Sequence, residues 1–577
     1  MLNLVKIALA ALALLALTLV VNAGVFDANW RWDDTQILLH AHQYSFWQDF
    51  TRPEVWQQFS PANLTPWLIF SFEVDMILFG LTPAAFYLHQ LVAIAAAGLL
   101  LFMCLNLWCR AVFALAGSAL FIVGLPTMLV AEQLMTRHYV EGLVFALAAL
   151  YGFVMYLRTE RRGALVLALL MYVLAVTAKE IYVPLPALLL LVPDGTWGRR
   201  IKASLPFFIV TVLYALWRGY MLGSYSGGYV DSSEYLTFAF VGEVLASFGR
   251  FPVLLTGLGW PVVVLLFLGV WGIYLARQRR VPWRALLVAA LVLLPLVPLV
   301  RSPGIVLADR YLLLPWVMVC FALAWCVDRI IVVSNKAVAG NNRASSKAPA
   351  GTTSSATASS VTSAPAMVLA GTALPIILAI ALLHALPVRQ ALATVGTEFD
   401  VQAQFLWQNE DTHAFVPSGN VLPAFWFVTG LRDLKARISG QGSPLPVVDD
   451  LYLAQQPDTR LFTYDVNCQC MRDVTGAIPE RLAQHRERLR ADAELSLSYR
   501  YQQGYFSWQF GPWQEGSYHV VSDTLGVLPL PPAGQLRVTL ADNAPFYLRY
   551  TSPEGWITYS ALNRVVRDGP AVEWSRN

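Results

Sequence analysis

The chain has 577 residues, of which 57% are hydrophobic and only 13% charged, and its mean hydropathy is +0.53. Soluble domains carry about a quarter of their residues as charged side chains, so the composition excludes a soluble enzyme and predicts that most of the chain lies in lipid. The formal net charge of +3 leaves no strong positive field, and we therefore expect no nucleic-acid partner.

Membrane-spanning helices need about 20 apolar residues, with short charged loops between them. Basic residues gather in alternate loops and acidic residues in the others, which places the N-terminus in the cytoplasm by the positive-inside rule. The predicted fold class is a polytopic α-helical membrane protein with about eleven spans, near residues 5–23, 83–104, 111–130, 141–157, 164–178, 181–193, 203–222, 260–276, 284–300, 311–331 and 367–386.

Two apolar stretches have other interpretations. Residues 238–257 contain Glu243 and Arg250, and counting them as a span would reverse the charge rule for the next loop, so we expect an amphipathic helix on the outer interface. Residues 1–23 also resemble a secretory signal with its cleavage site. We favour retention of this segment, because a loop rich in chemically useful residues begins immediately after it.

The chain after residue 331 predicts three further parts. Residues 332–366 include a Ser/Ala/Thr/Gly tract that cannot bury enough surface to fold, so we expect a disordered cytoplasmic linker. The helix at 367–386 then delivers residues 387–577 to the outside, where an α+β or β-rich domain ends in alternating strands typical of a small antiparallel sandwich or barrel. The aromatic residues of 499–518 fit a sugar-stacking surface or an ordinary β core.

Cys468 and Cys470 lie in this outer region, separated by one residue. This spacing disfavours a disulfide between the two cysteines. A strained bond, a transient redox pair or partners elsewhere remain alternatives from the sequence.

The first outer loop, residues 24–82, is far longer than a connector needs to be. It carries the adjacent carboxylates Asp33 and Asp34, which could accept a proton from an acceptor hydroxyl or hold a divalent cation against a phosphate leaving group. A solvated turn with a helix N-cap is the structural alternative. His40 and His42 are two residues apart, a spacing that fits no familiar zinc pattern.

Two short motifs follow in the later outer loops: Ala178-Lys179-Glu180, and the segment from Ala308 to Pro315 that contains Asp309-Arg310-Tyr311. Together with the acidic first loop and the outer C-terminal domain, they resemble the GT-C class of polyprenyl-phosphate-sugar-dependent glycosyltransferases. This class includes protein O-mannosyltransferases, aminoarabinose transferases and mannosyltransferases bearing tetratricopeptide repeats, although no such repeat follows here. The resemblance covers about residues 1–331 and implies a catalytic transmembrane bundle.

A transferase of this kind must hold a lipid phosphate, and cations at the outer ends of helices suit that task. The alternative for each cation is snorkelling, or pairing with a nearby acid such as Glu180 or Asp309. The topology places five at this level, with the motif residues Lys179 and Arg310 preferred over Arg218, Arg250 and Arg301.

The resemblance also implies that the second outer loop faces the first across the active site. Arg137 and His138 would then contact the sugar phosphate, and Glu132 or Glu141 would assist a metal. An interfacial loop that caps the next helix explains the same residues equally well. Whether the enzyme uses a divalent cation, held by Asp33 and Asp34, stays open.

The sequence thus predicts an integral-membrane glycosyltransferase of the cell envelope, in a bacterial inner membrane, with Asp33 as the preferred base, Asp34 as its alternate or partner, and inversion at the anomeric carbon. The expected partners are a polyprenyl-phosphate-linked sugar, membrane lipids, and a protein, lipid or glycan acceptor. A transporter or flippase of lipid-linked saccharides, and a noncatalytic polysaccharide-assembly protein, are the alternatives.

Overall fold

The computed structural model describes residues 4–60, 62–225, 283–295, 309–345, 364–417, 422–502, 505–523, 525–537, 540 and 542–576. Its first part is helical. The helices of this part are α1 (Leu4–Val21), α2 (Asp34–Gln43), α3 (Phe46–Thr51), α4 (Pro53–Phe59), α5 (Pro66–Phe79), α6 (Pro83–Asn106), α7 (Ala111–Val123), α8 (Leu125–Ala131), α9 (Arg137–Thr159), α10 (Arg162–Ala178), α11 (Leu185–Leu190), α12 (Trp197–Leu222), α13 (Trp283–Leu293), α14 (Leu313–Ser345) and α15 (Ala364–Gln408).

Five helices in the described residues are long and apolar enough to cross a membrane, and α7 with α8 makes a sixth if this bent pair is one span. Large apolar side chains cover their outer surfaces, for example Leu12, Val112 and Leu213, which are 64%, 68% and 58% exposed. Such surfaces are stable against lipid and not against water, so the chain is an integral membrane protein. The predicted span 260–276 and the predicted interfacial helix 238–257 lie outside the described residues.

Several predicted spans differ from the helices observed. The stretch 111–130 is bent by 53° between α7 and α8, where Gly124 is extended and Pro126 starts the second helix. Pro126 has no N–H to continue the hydrogen-bond ladder of α7. The apolar stretches at 164–178 and 181–193 form the shorter helices α10 and α11, joined by a 3₁₀ turn at Glu180–Tyr182.

The first outer loop is folded rather than extended, because local signals start four helices, α2 to α5. A Ser45 capping box begins α3, and Pro53 and Pro66 occupy first positions in α4 and α5, where a missing N–H costs nothing. Buried residues such as Ile37 and Phe72 then join the core of the membrane bundle. The loop therefore forms a fixed layer over the bundle.

The segment around the predicted linker also differs in its bounds. Helix α14 continues to Ser345, and α15 resumes at Ala364, while residues 346–363 lie outside the described part. Helix α15 continues well beyond residue 386, where the last span was expected to end. Its second half therefore continues into the domain of residues 387–577, which we call the outer domain after its predicted location.

The outer domain begins with an α+β lobe. Its strands are β1 (His413–Val416), β2 (Leu445–Pro446), β3 (Arg460–Asp465) and β4 (Cys470–Asp473), and its helices are α16 (Leu422–Ser439), α17 (Asp450–Gln455) and α18 (Ile478–Arg488). The sheet order is β2-β1-β3-β4, with β1 parallel to β2 and β3 and with β3 antiparallel to β4.

Of the alternatives that the sequence left open for Cys468 and Cys470, the structure has the bond between the two cysteines, at the turn between β3 and β4. Gln469 between them has a left-handed backbone with φ 50°. This turn brings the two Cα atoms to 5.2 Å, within the range that a disulfide spans.

The last part is an antiparallel sandwich, as expected. One sheet has the order β13-β5-β6-β9 and the other β11-β10-β7-β8 with β12 paired to β10. The strands are β5 (Leu495–Gln502), β6 (Tyr505–Gly511), β7 (Ser517–Ser522), β8 (Gly526–Leu530), β9 (Ala533–Arg537), β10 (Pro545–Thr551), β11 (Ile557–Tyr559), β12 (Asn563–Arg564) and β13 (Val572–Arg576).

The aromatic run at 499–518 supplies the core of this sandwich. Tyr499, Phe506 and Trp508 are buried, and the first two contact Phe546 of the facing sheet at ring distances of 5.1 and 6.0 Å. Strand alternation turns these aromatic side chains inward. The β-core interpretation therefore accounts for these residues.

Candidate functional site

The Asp33-Asp34 pair lies in a tight turn that opens α2. Trp32, the residue before the pair, has a left-handed backbone with φ 51°, a conformation that costs a bulky residue of order 1 kcal/mol or more. Asp33 occupies the N-cap position of α2, but its side chain makes no capping hydrogen bond. The Asp33 carboxylate therefore does not serve as a helix cap, which was the structural alternative for this residue.

The two carboxylates have different surroundings. Asp34 is 1% exposed, and its Oδ2 accepts the backbone N–H of Arg31 at 2.9 Å. Its Oδ1 has no partner among the described residues, and burial raises the pKa of Asp34 to about 7. Asp34 is thus engaged in holding the turn, which leaves Asp33 as the carboxylate open to a ligand.

Asp33 is half-buried and accepts no hydrogen bond from the part of the chain that the structure describes. Burial raises its pKa, and the positive charge of Arg310 partly offsets this rise. The first outer loop and the 309–315 motif, far apart in the sequence, therefore meet at one place. A carboxylate with a raised pKa beside a cation suits proton transfer near neutral pH.

Lys179 lies in the same region, in the break between α10 and the 3₁₀ turn, and is 6% exposed. Its Nζ lies 4.8 Å from the centre of the Tyr139 ring. Burial lowers the pKa of Lys179 to about 8, with Glu180 opposing this shift and Arg310 adding to it. Within the described residues no ion pair joins Lys179 to a carboxylate, so its charge is available to an anion.

Arg310 completes the group from the start of α14. Its guanidinium carbon lies 5.3 Å from the Tyr311 ring centre, and Nη1 lies 3.9 Å from the sulfur of Met135. Tyr311 in turn packs edge-on against Tyr139 at 5.9 Å. The rings of Tyr139 and Tyr311 thus connect Lys179 to Arg310. The sequence gives no sign of this contact beyond the position of the two tyrosines next to the predicted residues.

His138 lies close to Lys179 and Arg310, whose charges both act on it. It is 7% exposed, and its Nδ1 has no hydrogen-bond partner in the described ranges. We call Asp33, His138, Lys179 and Arg310 the cation–carboxylate cluster. It combines one open carboxylate with two cationic side chains and one imidazole, a composition that fits a phosphate ester and a reacting hydroxyl.

Other predicted phosphate ligands lie elsewhere. Arg218 is buried and its Nε donates to Glu180 at 2.8 Å, while its Nη1 donates to the Ser224 carbonyl at 2.7 Å. Pairing with Glu180 was the alternative role that the sequence suggested for these cations. Within the described residues, Arg218 makes that ion pair and Lys179 does not. Arg250 and Arg301 lie outside the described residues.

Most second-loop candidates are committed to structure. Arg137 is fully buried and pairs with Asp75 at 2.5 Å, and Glu141 accepts hydrogen bonds from Ser71 and Trp67 at 2.7 and 3.0 Å. Glu132 forms ion pairs with Arg31 of the first loop and with Arg389 of α15. Of these four predicted residues, His138 is the one that the described structure places beside Lys179 and Arg310.

A joint metal site at Asp33 and Asp34 does not fit this arrangement, because Asp34 is buried and holds a backbone N–H. His40 is engaged with Asp49 at 2.7 Å, and His42 is exposed. Across the described ranges, no three His, Cys, Asp or Glu side chains gather as a metal site would require. A cation shared by these two carboxylates is therefore not part of the reaction proposed for this site.

The sequence analysis missed two residues of α15 that reach the Asp33-Asp34 turn. Asp400 binds Arg31 through both carboxylate oxygens, and Arg389 pairs with Glu132 at 3.0 Å. Nothing in the local sequence of α15 distinguishes these residues from solvated charges on an outer helix.

Comparison with known proteins finds distant similarity in structure. No family model matches the chain, and no curated protein matches it. Among solved structures, the chain is similar to ArnT from Cupriavidus metallidurans, crystallised with bound undecaprenyl phosphate, at 14% sequence identity and a TM-score of 0.39. The match covers 79% of this chain and 93% of ArnT. The similarity is distant, and the function proposed below rests on this chain's own residues.

Proposed function

We propose that the protein is an integral-membrane glycosyltransferase that moves a sugar from a polyprenyl-phosphate donor to an acceptor outside the cytoplasm. The observation that carries the proposal is the cation–carboxylate cluster, in which an open Asp33 faces Arg310, with Lys179 and His138 beside it. The motifs that resemble the GT-C class supply three of these four residues.

In the proposed reaction, the acceptor hydroxyl attacks the anomeric carbon from the side opposite the phosphate. A new carbon–oxygen bond forms, the bond from the anomeric carbon to the phosphate oxygen breaks, and the phosphate leaves with the electron pair. Asp33 takes the hydroxyl proton, and the configuration inverts. The raised pKa of Asp33 makes its carboxylate a stronger base than that of an ordinary aspartate.

Lys179 and Arg310 receive the phosphate. The leaving group gains negative charge as the bond breaks, so cations held in place before the reaction stabilise the transition state more than the ground state. The Tyr139 ring under Lys179 and the Tyr311 ring beside Arg310 fix both side chains. His138 lies close enough to both cations to contact the same phosphate or the sugar.

The membrane arrangement belongs to the same proposal. The bundle of residues 1–331 holds the reaction at the outer leaflet, and residues 387–577 form a domain on the same side, with the N-terminus in the cytoplasm. Bacterial inner membranes contain polyprenyl-phosphate sugars and would suit this orientation. The acceptor is a protein, a lipid or a glycan with a reactive hydroxyl or amine.

The experiment measures sugar transfer by the purified protein in lipid nanodiscs, from a panel of radiolabelled polyprenyl-phosphate sugars to delipidated envelope extract. Asp33→Asn should lower kcat by about 10²- to 10⁴-fold, the usual contribution of a general base. Asp34→Asn should keep far more activity, since its oxygen can still accept the Arg31 N–H. Full activity in Asp33→Asn would remove Asp33 from the mechanism.

The phosphate site is tested with Lys179→Met and Arg310→Met, and Lys202→Met serves as the matched control because Lys202 is exposed on α12. The first two should lower kcat/KM for the donor, and the control should not. Transfer by the wild type also separates this function from a flippase or a noncatalytic assembly protein. Movement of the donor across the bilayer without transfer would support a flippase instead.

A further inference from the structure

We propose that Asp400 of α15 is a positioning residue for Asp33, so that the outer end of the last helix sets the catalytic turn. This inference rests on the proposed function, since it concerns the base of that reaction. It assigns a role to a helix that lies more than 360 residues away in sequence from the turn it holds.

Both oxygens of Asp400 bind the segment before Asp33. Oδ1 accepts the backbone N–H of Asn29 at 2.8 Å and Nε of Arg31 at 2.9 Å, and Oδ2 accepts Nη2 of Arg31 at 2.7 Å. A two-point contact between arginine and carboxylate fixes direction as well as distance. Asp400 therefore holds the main chain and a side chain of the turn at once.

The turn needs an external support because its backbone is strained at Trp32. A left-handed conformation at a bulky residue persists only where surrounding contacts enforce it. The Trp32 ring packs on Phe399, the neighbour of Asp400, at 4.9 Å. Two adjacent residues of α15 thus hold the two residues that precede Asp33.

Helix α15 also approaches the turn closely. A Cβ added at Gly396 would lie 2.6 Å from the guanidinium carbon of Arg31, a distance that no Cβ tolerates. Glycine at this position lets the helix lie directly against the guanidinium plane while Asp400, four residues later on the same helix face, binds its edge.

A second pair of contacts ties the outer layer to the same region. Nη1 of Arg31 reaches Glu132 at 3.1 Å, and Glu132 also binds Arg389 of α15 at 3.0 Å. The backbone carbonyls of Trp426 and Phe427 on α16 accept hydrogen bonds from the side chains of Gln36 and Thr35, at 2.6 and 2.8 Å. The outer domain therefore contributes to the geometry of α2, whose N-cap residue is Asp33.

The experiment compares Asp400→Asn, Asp400→Glu and Gly396→Leu with Asp473→Asn. Asp473 forms an exposed ion pair with Arg460 in the same domain, so its variant is the matched control. We expect Asp400→Asn and Gly396→Leu to lower kcat by about 10- to 100-fold, the usual effect of a small misplacement of a reacting group. The donor KM should change less than about twofold, since Lys179 and Arg310 come from other elements.

Two additional readouts separate positioning from general stability. Asp400→Glu, which keeps the charge, should recover part of the lost kcat. Hydrogen exchange in the full-length protein should speed up at backbone amides 29–38 in Asp400→Asn and not in Asp473→Asn, while thermal unfolding shows that both variants remain folded at the assay temperature.

Wild-type kcat in Asp400→Asn, or unchanged exchange at 29–38, would overturn the inference. A higher donor KM together with a lower kcat and a loss of folding would also overturn the inference, because this result would show that Asp400 has a purely structural role. If the wild type transfers no sugar, the proposed function fails, and hydrogen exchange alone then decides whether α15 holds the turn.

Discussion

Replacing Arg137 with Met should destabilise the protein strongly, because its charge is buried and held in an ion pair. The side chain has 0% exposure, pairs with Asp75 at 2.5 Å and donates to the Phe86 carbonyl at 2.8 Å. It also lies over the Phe72 ring at 4.6 Å. Removing one partner of a buried pair leaves the other charge uncompensated, which costs about 3–5 kcal/mol. Asp75, with its side chain 2% exposed, would then retain His89 at 2.8 Å as its one charged partner among the described residues.

The free energy of unfolding can be measured by SDS titration in mixed micelles. The double variant Arg137→Met/Asp75→Leu should regain most of the loss, since two apolar side chains can replace a buried ion pair at little cost. Arg460→Met is the control, because its ion pair with Asp473 is exposed and is worth at most about 1 kcal/mol. Wild-type stability in Arg137→Met, or a double variant less stable than the single one, would refute the reasoning.

Three further predictions concern the site. The transfer rate should rise with pH as Asp33 loses its proton, at a pH above the ordinary carboxylate pKa of 3.8, and should fall again as Lys179 loses its proton near pH 8. Lys179→Arg should move this fall in rate to higher pH. If the fall stays at the same pH, it belongs to another group. Burial raises the pKa of Asp34 from 3.8 to about 7, so the wild type should lose stability as pH rises through this interval, and Asp34→Asn should lack that loss in thermal unfolding. A Cβ at Gly142 would lie 2.4 Å from the Tyr182 ring, so Gly142→Leu should displace the break that carries Lys179 and raise the donor KM, whereas Gly163→Leu, where the space is open, should not.

Reasoning from sequence reached the membrane class and the residues of the cluster because their signals are local. An apolar stretch of about 20 residues identifies a span without reference to its neighbours. Asp33, Lys179 and Arg310 are charged residues at the ends of such stretches, where a charge is costly unless it has a use. Their shared location outside the spans made them candidates before any contact was known.

Reasoning from sequence preferred Asp33 but had no chemical difference to separate it from Asp34, because the two are the same residue type at adjacent positions. Packing separates them: the Arg31 N–H binds Asp34, and Asp33 keeps its oxygens open. In the same way, Glu180 pairs with Arg218 rather than with Lys179, its neighbour in the chain. Side-chain direction on a folded backbone decides such pairings, and sequence adjacency does not.

The sequence by itself determined that this is a membrane protein with a β-rich tail and a small set of charges near the ends of its apolar helices. Only the tertiary structure decided which of these charges meet, and that Asp400 supports the turn from a helix near the other end of the chain. The physical reason is range: hydropathy and spacing act over one or two helical turns, whereas ion pairing and burial depend on residues hundreds of positions apart.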